Sequence, residues 1–170
     1  MRQARPRSDL ALLNGGSVRA GIPAGPLTFG SLYEAFPFDN VFATVRVPAG
    51  YLASRLGESL RHASSLVLLS GVHVRARCEG RNLEVTLTRP DGSAIADFEP
   101  LTITTTDFLA TGGDGFFAGA KATLENGLPI RETMVEVLRA RGGTLDPDKL
   151  LDAKHPRFDL PGPVPVRCGR

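Results

Sequence analysis

The spacing of apolar residues predicts an α+β domain. Short segments repeat apolar residues at every second position, the period of a half-buried strand, and longer segments repeat them every three or four, the period of a helix with one buried face. The 170 residues contain no internal repeat and no linker that would divide them. A chain of this length encloses one core and buries about 70% of the surface that its unfolded form exposes.

In chain order, Asp9 to Leu13 reads "DLALL" and runs into Asn14-Gly15-Gly16, a buried strand entering a turn. The stretch onward to Pro26 is punctuated by glycine and proline and reads as a loop. Thr28 caps a short helix through Glu34, its hydroxyl accepting from the free amides of the first turn. Phe36-Pro37-Phe38 ends that helix, because a proline pushes the residue before it out of the helical region. Between Asn40 and Val47, Val41, Ala43, Val45 and Val47 share one strand face while Thr44 and Arg46 occupy the other. Leu52, Leu56 and Leu60 then recur every four residues, an amphipathic helix ending near Ala63-Ser64.

Three strands follow. "VHVRARC" turns Val72, Val74, Ala76 and Cys78 inward, "NLEVTLT" turns Leu83, Val85 and Leu87 inward, and "LTITTT" starts at Leu101. Glu79-Gly80-Arg81 joins the first two as a hairpin loop. Ile130, Met134, Val137 and Leu138 predict an amphipathic helix that Pro129 starts and Gly142-Gly143 stops. The last sixteen residues, "HPRFDLPGPVPVRCGR", are punctuated by proline. A domain over residues 1–150 and an extended or disordered Pro-rich tail over 151–170 are therefore expected.

Composition excludes several classes. At 42% hydrophobic and 22% charged residues the balance is that of a globular domain. The formal charge is +2, with Lys and Arg scattered along the chain, so no basic stripe points to a nucleic-acid polymer, while a small anion remains a fitting ligand. No apolar run reaches the roughly 20 residues of a membrane span. "MRQARPRSDL" has arginines without an apolar region behind them, so it does not read as a secretory signal, and a chain expressed as it stands is expected in the cytoplasm. Cys78 and Cys168 lack metal-ligand spacing, and Cys78 reads as a small core residue. His62, His73 and His155 lie far apart without acidic companions, so no metal site is expected.

Three segments hold the candidate chemistry: "NGGSVRAGIPAGP", "FPFDN" and "DFLATGGDGF". Each joins glycine or proline punctuation to a polar group at the end of a predicted strand or helix, where loops commonly carry binding residues. Phe38 and Phe108 could clamp a flat ring, since a base stacked on an aromatic gains about 1–3 kcal/mol. Arg19 could add a charge-assisted contact to a phosphate. Taken singly, each phenylalanine is more often a core residue than a ligand platform, and Gly112-Gly113-Asp114-Gly115 is usually an ordinary turn with Asp114 bonding its own backbone. Neither glycine cluster has the spacing or the Lys-Ser/Thr ending of a phosphate-cradling P-loop.

In combination and in this order the segments are more specific. "NGGSVRAGIPAGPLTFGSLYEAFPFDN" followed later by "TTTDFLATGGDGF" resembles the C-terminal domain of the 5'-nucleotidase family, which includes UDP-sugar hydrolases and 2',3'-cyclic-nucleotide phosphodiesterases. The resemblance runs from Asp9 to Arg141 and includes "LSGVHV" at Leu69 to Val74. It implies a layered mixed α/β domain that grips a nucleoside or nucleotide for a metallophosphoesterase domain, in cis or in trans. Two divalent metal ions would reside in that other domain, so no cofactor, metal ligand or catalytic residue is expected in this chain. Phe38 and Phe108 would sandwich the base, Asp114 would accept from the ribose hydroxyls, and Arg19 would stand near ribose and phosphate. Asn14 and Asn40 would line the pocket, and Gly71 would offer backbone contacts to the base edge. "MRQA" resembles only the end of the helix that opens the family domain, so an N-terminally truncated domain is expected. The competing expectation is a remnant or interaction module that folds without binding nucleotides. Relatives in that family are exported by a leader that this sequence does not show.

Overall fold

The five predicted strands and three further short ones pair into two sheets. The structure, a computed structural model, describes residues 1–62, 66–142, 144–150, 152 and 154–169. Strands β1 (Leu10–Asn14), β2 (Phe42–Pro48), β3 (Val67–Ser70), β6 (Pro100–Thr106) and β7 (Ala122–Leu124) form a five-stranded sheet in the order β3-β1-β6-β2-β7. Strands β4 (His73–Glu79), β5 (Asn82–Thr88) and β8 (Phe158–Asp159) form a three-stranded sheet in the order β5-β4-β8. Helices α1 (Phe29–Ala35), α2 (Ala49–Arg61), α3 (Asp107–Ala110), α4 (Ile130–Arg141) and α5 (Pro147–Leu150) complete the α+β architecture.

Strand direction decides where the loops meet. β1 and β6 run parallel, with Leu10 opposite Ile103 and Ala11 opposite Thr104, while β2 runs antiparallel to β6, with Phe42 opposite Thr106. The C-terminal ends of β1 and β6 and the N-terminal end of β2 therefore share one end of the sheet. Asn14, the "FPFDN" loop and "DFLATGGDGF" emerge together there.

The two-residue period places Ala43, Val45 and Val47 inside, with Leu10, Leu12, Leu101 and Ile103 beside them. Leu52 and Leu56 on α2 are fully buried in the same cluster, which extends to Val74 and Leu87 of the second sheet, so α2 joins the two sheets into one core. Gly57 lets α2 approach β5, since a Cβ there would stand 3.4 Å from Val85 Cγ2. On the opposite side of the main sheet, Phe42 is buried beneath the Arg5 guanidinium, 4.1 Å from its ring centre, and Arg5 also pairs with Glu125 at 2.5 Å.

Local signals behave as their chemistry requires. Thr28 accepts a hydrogen bond from the Ser31 amide at 3.1 Å and opens α1, which closes at Ala35. Glu79 pairs with Asn82, so the hairpin turns on Gly80-Arg81, with Gly80 at φ +60. α2 closes at Arg61, and the expected end near Ala63-Ser64 lies outside the described residues. Gly142, at φ +62, stops α4, while Gly143 lies outside the described residues.

Two expectations for the C-terminal region need correction. Cys78 is exposed at the end of β4 and forms a disulfide with Cys168, so it is a staple and not a core residue. The tail is extended, as its prolines require, but it is packed. β8 pairs in parallel with β4, Val166 is buried beside Leu60 and Ala76, and the Val166 amide donates to the Leu60 carbonyl at 2.8 Å.

Candidate functional site

At the end of β6 the chain turns sharply, and two threonine and aspartate side chains manage the exposed amides. Thr106 Oγ1 accepts from the Leu109 amide at 3.2 Å and so caps α3. Asp107 Oδ1 accepts from its neighbour's amide, Phe108 N–H, at 2.9 Å and from Asn40 Nδ2 at 2.8 Å, while the Asp107 amide donates to the Val41 carbonyl at 3.0 Å. This bridge ties "FPFDN" to "DFLATGGDGF". Phe38 lies two residues before it and Phe108 one residue after it, with 47% and 45% of their surfaces exposed, so both rings are presented to solvent and not spent in the core.

A second bridge gathers the rest. Asp114 adopts φ +53, the left-handed region that aspartate tolerates better than most residues. Its Oδ2 accepts from Asn14 Nδ2 at 2.9 Å, and Ser17 Oγ donates to Asn14 Oδ1, which orients the amide. The Arg19 amide donates to Ala35 O at 2.9 Å, and its guanidinium carbon lies 6.0 Å from the Phe38 ring centre. Asn14, Arg19, Phe38, Asn40, Phe108 and Asp114 thus occupy one end of the main sheet, beside a shallow pocket lined in part by Phe38, Asn40, Ser17 and Arg131. The arrangement offers two ring faces, carboxylate and amide groups for hydroxyl partners, and the cation of Arg19.

Gly71 does not join them. β3 is antiparallel to β1, with Asn14 opposite Val67 and Ala11 opposite Ser70. Gly71 therefore sits level with Leu10, about 13 Å from Asn14 at the usual rise per strand residue. There the glycine answers a packing need. It adopts φ +106, and a Cβ would stand 2.4 Å from the Asp9 carbonyl oxygen.

Other residues that shape the site carry no motif. Tyr51 Oη donates to Phe116 O at 3.1 Å, and Arg55 donates to Phe116 O at 3.1 Å and to Gly115 O at 2.7 Å, so α2 grips the glycine loop from below. Arg131 does the same for "FPFDN". The periodic pattern assigns Tyr51 and Arg55 only to a helix surface. Arg131 did leave a trace, since a cation in the first turn of a helix opposes the helix dipole. Gly113 supports Phe108 by its lack of a side chain, because a Cβ would stand 2.5 Å from Phe108 Cε1.

The sequence profile of the 5'-nucleotidase C-terminal domain matches residues 1–121. The chain belongs to this family. Among solved structures, this 5'-nucleotidase C-terminal domain is similar to a 5'-nucleotidase precursor from Thermus thermophilus, with TM-score 0.72 and 22% identity over 95% of this chain and 33% of that one. It is also similar to the NAD nucleotidase NadN of Haemophilus influenzae, with TM-score 0.68 and 18% identity over 91% and 30% of the two chains. Both likenesses establish the fold. Among curated proteins the domain is 30% identical to an apyrase of Tabanus yao over 128 residues, 64% of this chain and 22% of the apyrase. It is 25% identical over 150 residues to the trifunctional nucleotide phosphoesterase protein YfkN of Bacillus subtilis, covering 81% of this chain and 10% of that protein. The chain thus spans about a third of the length of its solved relatives and less of its curated ones.

Proposed function

We propose that this domain binds a nucleoside or nucleotide, gripping base and ribose so that a metallophosphoesterase domain, in cis or in trans, can act on the phosphate. The observation that carries the reading is the pair of bridges, Asn40–Asp107 and Asn14–Asp114, which bring two half-exposed rings, a carboxylate and an arginine to one end of the sheet. Phe38 and Phe108 stack on the base. Stacking is tolerant of base identity because every base has a π-face, so a broad nucleotide range follows. Asp114 accepts from the ribose hydroxyls, Asn14 and Asn40 line the sugar and base pocket, and Arg19 meets the phosphate side. A deoxyribose leaves the carboxylate without one partner, so ribose is preferred.

The reaction itself is assigned to the other domain. Among the described residues no three His, Cys, Asp or Glu side chains stand together as a metal-binding group. The two divalent ions that the resemblance implies belong to the metallophosphoesterase domain. The Cys78–Cys168 disulfide supports maturation in an oxidising compartment rather than the cytoplasm. Among the described residues no helix is long and apolar enough to cross a membrane.

Calorimetric titration of adenosine or AMP into the domain tests the reading. Saturable binding is expected, and Phe108→Ala weakens it by about 1–3 kcal/mol, the value of one stacking face. No binding at millimolar ligand would overturn the proposal and favour a non-binding interaction module.

A further inference from the structure

Arg131 is a charged residue almost wholly removed from water, with 5% of its side chain exposed. Its Nη1 donates to the carbonyls of Phe36 at 2.9 Å and Phe38 at 3.3 Å, and its Nη2 pairs with Asp39 Oδ1 at 2.6 Å. The guanidinium lies over the Tyr33 ring, 4.4 Å from its centre, and within 5.8 Å of the Phe29 ring centre. The preceding residue adds a fourth tie, since the Ile130 amide donates to Asn40 O at 2.8 Å. The first two residues of α4 therefore hold four of the five residues of "FPFDN" from behind. They lie outside the segment that matches the family profile, residues 1–121.

Burying a cation in the first turn of a helix opposes both solvation and the helix dipole. Loop stability alone could come from any apolar residue filling the same space, whereas this geometry is directed at two backbone carbonyls and a carboxylate. On its solvent side the Phe38 ring is half exposed, with the Arg19 guanidinium carbon 6.0 Å from its centre.

We propose that Arg131 is a positioning residue for Phe38, holding its ring at the stacking face before a ligand arrives. The inference rests on the nucleoside reading above and adds a residue that acts through the backbone of the ring-bearing loop. A ring ordered in advance loses less freedom on binding, an effect of about three- to tenfold in affinity for one immobilised side chain. Lysine cannot replace the brace, because a single ammonium lacks the planar fork that reaches both carbonyls and the carboxylate.

The test is a double-mutant cycle read by titrating adenosine. Arg131→Lys weakens adenosine about three- to tenfold in the wild-type and Phe108→Ala backgrounds, and by less than about twofold in Phe38→Ala, because coupled residues are non-additive. Asp39 is three-quarters exposed, so Asp39→Asn is the companion variant that keeps the fold, and it weakens adenosine in the same coupled pattern. Equal weakening in all backgrounds together with a lowered unfolding midpoint, or unchanged affinity in both variants, overturns the positioning role. Failure of the wild-type domain to bind adenosine instead overturns the nucleoside reading on which this role rests.

Discussion

The five-stranded sheet ends in loops held by side chains from distant parts of the chain, while the three-stranded sheet is closed by a covalent bond. At the first, Asn40–Asp107, Asn14–Asp114, Arg55 and Arg131 fix exposed backbone through hydrogen bonds. At the second, Cys78–Cys168 fastens the tail across a sequence separation of 90 residues, and Arg75 and Arg77 both pair with Asp159. If the loop end is the nucleoside site proposed above, the difference teaches that stability and recognition draw on separate devices. A change in the second sheet should alter unfolding without altering ligand affinity, and a change beneath the loops should do the reverse.

The largest expected effect is on the staple. Cys168→Ser removes a cross-link over a long loop, which costs about 2–5 kcal/mol of stability. Denaturant unfolding should report that loss, while adenosine affinity at a temperature where the domain remains folded should stay unchanged. A parallel loss of affinity would break the separation of the two regions.

Gly71→Ala comes next and probes the packing role of that glycine. Its methyl would collide with the Asp9 carbonyl in a backbone conformation unsuited to alanine, so a destabilisation of roughly 3 kcal/mol is expected. A variant of normal stability that bound adenosine poorly would instead restore Gly71 to the site.

Gly113→Ala probes the site region directly. Gly113 is absent from the left-handed glycines, so alanine is compatible with its backbone, but the new methyl must displace the exposed Phe108 ring. Stability should move by less than about 1 kcal/mol while adenosine binds about tenfold more weakly, a partial loss of one stacking face. An intact affinity would show that the Phe108 position does not matter.

The smallest effect concerns pH. Hydrogen bonds from Arg77 and then Arg75 hold the Asp159 carboxyl below its ordinary value of 3.8. A depressed folded value means that this stabilisation is present above about 3.8 and is lost as pH falls through the lower folded value. Asp159→Asn should remove that acid-limb dependence, seen in unfolding midpoints between pH 5 and 2, without changing affinity at neutral pH.

The sequence made the main sheet legible because its signals are local. Alternation in β2, the Thr28 cap and the Gly142 stop each depend on neighbours within a few residues. The ring-bearing loops were legible only as an ordered set of motifs. What escaped depends on contacts between remote segments. Nothing in "RFDL" announces the two-residue strand β8, whose partner lies more than seventy residues earlier in the chain. Cys78 has the alternation of an inward residue, yet it stands where β4 leaves the core. Gly71 lies in a motif, but the antiparallel register of β3 carries it level with Leu10, away from Asn14. Arg55 acts on backbone carbonyls, which leave no mark in the side-chain pattern, and Arg131 shows only as a cation in the first turn of a helix.

The most direct test of the central claim is backbone amide shift mapping by NMR as AMP is added to the domain. Saturable shifts should concentrate in residues 14–19, 36–40 and 107–118, with residues 73–88 and 158–168 unmoved. Absence of saturable shifts, or shifts centred on the three-stranded sheet, would contradict the assignment of the nucleoside site to the end of β1 and β6.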